Sequence, residues 1–281
     1  MNAMLRTRTV RFTVLAALAA VLLAVAACSG VPGVGGDTAT SFTVRMADGE
    51  ISVPQGVGAG VSTFTFDNAS EAEFGPVLAR LNQGVTMEQL MTLLSEEGEE
   101  AAMSQLTLLG GTMMGPMSTM DISYELEEGD YLIIDFASES EEAPIAPFSV
   151  EAGGASGEEP EADVTAELQD FTFNLTGEVT AAPQIWEITN TGTEWHEMFI
   201  IPVESGMNES QVIEMLMQMQ GPDDVPEGSF GWMPMHPETR AWASFDLEPG
   251  SYAVVCMLPS FANEGTPHAM LGMVRVVEVA E

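Results

Sequence analysis

YAVVCMLPSFANEGTPHAMLGMVRVVEV, residues 252–279, carries an apolar run into Cys256, then a polar stretch, then His268 and Met273, then a second apolar run. Each apolar run is short and bounded by Gly and Pro, which reads as two strands joined by a long connection. The connection is where unusual residues gather. The whole 281-residue chain has two cysteines and three histidines, and this stretch holds one of each. Outward from it, FTFNL (171–175), IWEIT (185–189) and WASFDL (242–247) keep the same period of two. Short strands at regular spacing, with turn residues between them, predict an antiparallel β-sandwich.

The pattern occurs twice. NASEAEFGPVLARLNQGVTMEQLMTLL (68–94) aligns without a gap on NTGTEWHEMFIIPVESGMNESQVIEMLM (190–217), with Asn on Asn and Gly84 on Gly206. YELEEGDYLIIDF (124–136) aligns on SFDLEPGSYAVVCM (244–257), again ungapped across LEEGDY and LEPGSY. Between the copies lies EAGGASGEEPEAD (151–163), a composition suited to a linker. In the second copy MNESQVIEMLMQMQ predicts a helix with Asn208 as N-cap and Val212, Met215, Leu216 and Met219 on one face. The fold expected is all-β: two tandem sandwiches, residues 42–151 and 164–281, joined by 152–163, each with one inserted helix.

The N-terminus is a different kind of segment. Arg6, Arg8 and Arg11 precede the apolar run FTVLAALAAVLLAVAA. That layout predicts a secretory signal over residues 1–27, too short for a comfortable membrane span. The run ends in VAAC (25–28), which resembles a bacterial lipobox. The resemblance implies cleavage before Cys28 and acylation of its sulfur. GVPGVGGDTATS follows as a flexible tether, residues 28–41 in all. The expected location is the cell envelope, lipid-anchored and extracytoplasmic, periplasmic or at the cell surface.

The net charge is −36, and removing residues 1–27 leaves four Arg and no Lys against 43 carboxylates. Such a surface repels nucleic acid. Solubility or salt tolerance explains it as well as steering of a basic partner. With Cys28 acylated, Cys256 has no partner in the chain. A lone thiol in an oxidising compartment is either buried and inert or held by something.

The two copies differ in a chemically pointed way. His196 falls on Phe74 and Cys256 on Asp135, while the segment carrying His268 and Met273 has no full counterpart in the first copy. The thiol, two imidazoles and a thioether therefore sit in one copy. That soft donor set suits copper: two His and a Cys with a distant axial Met is the blue-copper arrangement. Zinc would take another Cys, His or carboxylate before a thioether, and magnesium or calcium would take oxygens. Met257 and Met270 lie near enough in sequence to compete with Met273 for the axial place.

Here the chain resembles the cupredoxins, the plastocyanin- and azurin-like family. NTGTEWH (190–196) looks like the loop that brings in the first histidine, YAVVC ends a strand on the cysteine, and HAMLGMVRVVEV sets His268 five residues before Met273. The resemblance covers 164–279 by motif and 42–151 by fold pattern alone. It implies Greek-key sandwiches and one type 1 copper held by His196, Cys256, His268 and Met273 at one end of the second. The C-x11-H spacing is longer than in small members. The extra PSFANEG is expected to let the site breathe or to bring another ligand.

Four functions compete on this reading. The first is a type 1 copper lipoprotein that transfers single electrons to an unnamed redox partner. The second is Cu(I) capture, storage or delivery, with Met233, Met235 and His236 in an exposed Met-rich loop as a second site. The third is an enzyme, which three histidines in total argue against, since catalytic copper centres need more. No HExxH, serine triad or phosphate loop stands out either. The fourth is a metal-free interaction module, which the first copy resembles.

Overall fold

The computed structural model describes residues 40–138, 143–154, 156–219 and 224–280. The expected signal peptide, Cys28 and most of the tether lie outside the described residues.

The chain is all-β, built as two sandwiches with short helical insertions. In the N-terminal sandwich one layer holds β1 (Ser41–Ala47), β2 (Glu50–Ser52), β4 (Gly60–Asn68) and β7 (Ser118–Leu126). The facing layer holds β3 (Val57–Gly58), β5 (Pro76–Leu81), β6 (Leu106–Gly111), β8 (Gly129–Asp135) and β9 (Ile145–Glu151). In the C-terminal sandwich β10 (Val164–Gln169), β11 (Thr172–Thr176), β12 (Pro183–Asn190) and β15 (Arg240–Asp246) face β13 (His196–Val203), β14 (Phe230–Met235), β16 (Gly250–Val255) and β17 (Val274–Val279). The chain crosses between layers from β12 to β13, from β14 to β15 and from β15 to β16, which is Greek-key connectivity.

Alternation along the strands makes these layers. Phe42, Val44 and Met46 of β1 point inward, as do Val164, Ala166 and Leu168 of β10, while their neighbours face out or sit at the margin. The two hairpins that match in sequence also match in detail. The Tyr131 hydroxyl donates to the carbonyl of Glu127 at 3.0 Å, and that of Tyr252 to Glu248 at 3.1 Å, each pinning a strand entry from four residues away.

The insertions are less alike than the sequence suggests. Among the described residues between β13 and β14 there is one α-helix, α3 (Glu209–Gln218), closed by a reciprocal Asn208–Gln211 capping box. Between β5 and β6 there are two, α1 (Met87–Glu96), capped likewise by Thr86 and Gln89, and the short α2 (Glu99–Met103). Gly98, at a φ of 92°, ends the first and starts the second, so the single helix expected there is broken in two.

The sandwiches do not sit apart. β15 pairs antiparallel with β7, and β14 pairs with β6, so both layers run unbroken through the molecule as sheets of eight and nine strands. One apolar cluster spans both halves, from Phe64 and Tyr124 to Trp232 and Cys256. Within the segment read as a linker, Ser156, Gly157 and Glu159 are tied to the sandwiches. Gly157 N–H donates to Val61 O at 2.7 Å, the Val61 N–H donates to Ser156 Oγ at 3.0 Å, and Glu159 takes a hydrogen bond from Arg240 at 2.7 Å.

Candidate metal centre

The end of the C-terminal sandwich gathers His196, Cys256 and His268. One donor atom from each lies within 4.8 Å of the others. His196 opens β13, placed by the β12–β13 loop. That loop is fixed by Asn190, whose amide donates to Glu194 O and Met235 O, both at 2.9 Å, and whose oxygen accepts Gly192 N–H at 2.9 Å. Cys256 follows β16 directly, and its N–H donates to Met273 O. His268 opens a single 3-10 turn, His268–Leu271, which Gly272 closes at a φ of 114°. Ala269 N–H donates back to Cys256 O at 2.8 Å, so the cysteine and second histidine are tied through backbone.

All three side chains are wholly buried. His196 Nδ1 lies 3.1 Å from His268 Nδ1, and Cys256 Sγ lies 3.4 Å from the same atom. The far nitrogens are occupied: His196 Nε2 faces Asp170 Oδ1 at 3.1 Å, and His268 Nε2 faces Glu194 Oε2 at 3.2 Å. An ionised carboxylate only accepts, so in each neutral ring the hydrogen belongs on Nε2. Both Nδ1 atoms then present lone pairs toward each other and toward the sulfur. The thiol hydrogen can satisfy His268 Nδ1, but no hydrogen lies between the two Nδ1 atoms, and that approach is unfavourable unless a cation sits there.

Met273, the fourth residue expected, lies nearby. It is wholly buried, lies in the same apolar cluster as Cys256, and its N–H donates to His268 O at 2.9 Å. Two nitrogens, a thiol and a nearby thioether make the donor set of a type 1 copper site. Burial, and then the charge of Glu197, push the Cys256 thiol up to about 12. The thiol therefore keeps its proton in the absence of metal, and a soft cation is what would displace it.

The sequence reading missed three carboxylates around the donors. Asp170 lies in the β10–β11 turn. Burial works against its charge, but hydrogen bonds from the Thr193 hydroxyl (2.7 Å), Thr193 N–H (2.9 Å), Glu194 N–H and His196 outweigh it and hold Asp170 at about 2. Glu194 is likewise held below the usual carboxylate range, against its burial, by the Ser260 hydroxyl (2.8 Å), the Phe261 N–H (2.8 Å) and His268. Glu197, beside His196, accepts Met257 N–H at 3.0 Å, and full burial raises it to about 7. Burial also keeps His196 below the ordinary histidine value, despite Asp170.

The long Cys-to-His connection is closed on itself. Pro259 bridges Pro267, Ser260 N–H donates to Thr266 O at 2.9 Å, and Gly265 N–H returns to Ser260 O at 2.9 Å. Its wholly buried Ser260 holds Glu194. The PSFANEG segment thereby braces the carboxylate behind His268.

The Met-rich segment differs from expectation. Met233 and Met235 lie on β14, a strand inside the nine-stranded sheet, not in an exposed loop. Met235 Sδ accepts from Trp232 Nε1 at 3.3 Å, and His236 Nδ1 accepts Leu108 N–H at 2.8 Å. Pro234 disguised the strand. In the N-terminal sandwich the counterparts of the donors serve structure: Phe74 is wholly buried, and Asp135 accepts the N–H groups of Gly75 and Ala137 at 2.8 and 3.0 Å.

No protein-family model and no curated protein matches the chain. Among solved structures it is similar to dithionite-reduced auracyanin from the photosynthetic bacterium Roseiflexus castenholzii, at 20% identity over 43% of this chain and 100% of that one, TM-score 0.29. It is similar also to a multicopper oxidase, at 13% over 85% of this chain and 87% of that one, TM-score 0.24. A copper nitrite reductase from Nitrosomonas europaea matches at 12% over 86% and 94%, TM-score 0.24. By its own topology the fold is a pair of Greek-key β-sandwiches with the donor cluster at one end of the second. The expectation that the chain is not an enzyme is corrected, because the similar structures include proteins named as an oxidase and a reductase.

Proposed function

We propose that this protein is a type 1 copper protein of the cell envelope that moves single electrons. His196, Cys256, His268 and Met273 would hold the ion. The observation that supports this reading best is the 3.1 Å approach of two imidazole Nδ1 atoms, with a buried thiol 3.4 Å from one of them. Copper so held supplies a one-electron couple. The chain's own contribution is rigidity: two strand ends, one 3-10 turn and two carboxylate-braced rings, all buried, leave little room for the donors to move.

In this proposal the N-terminal sandwich is a second copy of the same unit without donors. The signal peptide over residues 1–27 and acylation of Cys28 tether the pair to a membrane, extracytoplasmic, by a flexible segment. The redox partner would meet a strongly acidic surface. Cu(I) storage finds less support, since Met235 and His236 are spent on internal hydrogen bonds.

The test is a spectrum and a metal count. Added Cu(II) should give an intense blue protein with one copper per chain, and Cys256→Ser should abolish the colour. A colourless loaded protein would overturn the type 1 assignment. More than one tightly held copper would favour storage.

A further inference from the structure

Both rings in the donor cluster turn their outer nitrogen onto a carboxylate, and both carboxylates are held by other groups. Asp170 is fixed by the Thr193 hydroxyl, the Thr193 N–H and the Glu194 N–H. Glu194 is fixed by the Ser260 hydroxyl and the Phe261 N–H, both from the long loop. Gly192 is the only residue that fits at its position: a Cβ there would lie 2.4 Å from Asp170 Oδ1 and 2.6 Å from His196 Nε2. Three separate segments are therefore shaped around these two contacts: the β10–β11 turn, the β12–β13 loop and the PSFANEG loop.

We infer that Asp170 and Glu194 are positioning residues that tune the bound copper through His196 and His268, favouring its oxidised form. The inference rests on the copper reading above. Its physical basis is charge and basicity. A carboxylate accepting the outer N–H of a ligating imidazole fixes its tautomer and makes the inner nitrogen a stronger donor. Two such carboxylates also place negative charge against two wholly buried rings, Glu194 itself nearly buried and Asp170 partly exposed, so the charge on Glu194 is the less screened of the two. Both effects stabilise Cu(II) more than Cu(I), which carries one charge less, and so lower the reduction potential. Neither carboxylate is within the donor cluster, so their removal need not remove the ion.

Asp170→Asn and Glu194→Gln keep an oxygen to accept the ring N–H and remove the charge, while the Thr193 and Ser260 hydroxyls turn to accept from the new NH2. Copper-loaded full-length protein and each variant would be titrated spectroelectrochemically at one pH, following the blue band. Each substitution should raise the potential while the band persists, and the double variant should raise it further. Exposed Glu97→Gln should leave it unmoved, as a control for net charge. A blue wild type whose variants keep the same potential, or fall, overturns the inference alone. Loss of the band in both single variants also overturns it, in favour of a purely structural role. A wild type that never turns blue sinks the copper reading itself.

Discussion

At the scale of single residues, the donors and their supports were unequally visible. His196, Cys256, His268 and Met273 could be picked out because their residue types are scarce or chemically soft and their order is informative. Asp170 and Glu194 could not, because the chain has 43 carboxylates and nothing in the sequence marks two of them. Gly192 was in view inside NTGTEWH, but its reason lies on another loop. A Cβ there would meet Asp170 and His196 at 2.4 and 2.6 Å. Both partners are anchored, so Gly192→Ala must break the Asp170–His196 contact. Copper affinity should fall about 10–100-fold, as losses behind a metal ligand do. Competition with a chromophoric copper chelator would measure it, and unchanged affinity would mean the contact does not support the site.

At the scale of elements, the strands of the C-terminal half were legible from their period of two and their turn residues. The helix α3 was legible from its Asn208 cap. What misled was local chemistry pulling against tertiary pairing. GWMPM looked like a loop because it holds a glycine and a proline, yet Trp232 and Met235 are wholly buried on a strand paired on both sides. PSFANEG looked loose because its residues favour turns. In the fold those turns close on one another and bury Ser260. Ser260→Ala removes the hydroxyl that donates to Glu194 and accepts from Asn263 N–H. Leaving that nearly buried carboxylate short of a donor should destabilise the protein by about 1–3 kcal/mol. Denaturant unfolding would show it as a lower midpoint at unchanged slope.

At the scale of the whole molecule, the join between sandwiches is part of both sheets. His236 sits on it: its N–H donates to Leu108 O at 2.9 Å, and its Nδ1 accepts Leu108 N–H at 2.8 Å. Burial pushes His236 down to about 4, from an ordinary value near 6.5. The unfolded chain therefore takes up this proton first as pH falls. The stability that depends on neutral His236 is whole above about pH 6.5, is lost progressively toward pH 4, and changes no further below. His236→Gln removes this titration. Over pH 6.5 to 4 the wild type's thermal midpoint should drop more steeply than the variant's; equal slopes would place the acid sensitivity elsewhere. The shared core around Gly110 and Trp232, where a Cβ on Gly110 would lie 2.6 Å from the indole, predicts a single transition for both halves.

By itself, the sequence determined the all-β class and drew attention to His196, Cys256 and His268, because periodicity, glycine and scarce soft side chains are local properties. Tertiary structure alone decided that the two sandwiches fuse through both sheets and that two carboxylates stand behind the histidines. Those outcomes depend on which segments meet across long stretches of chain, and on which carboxylates come to face a buried ring.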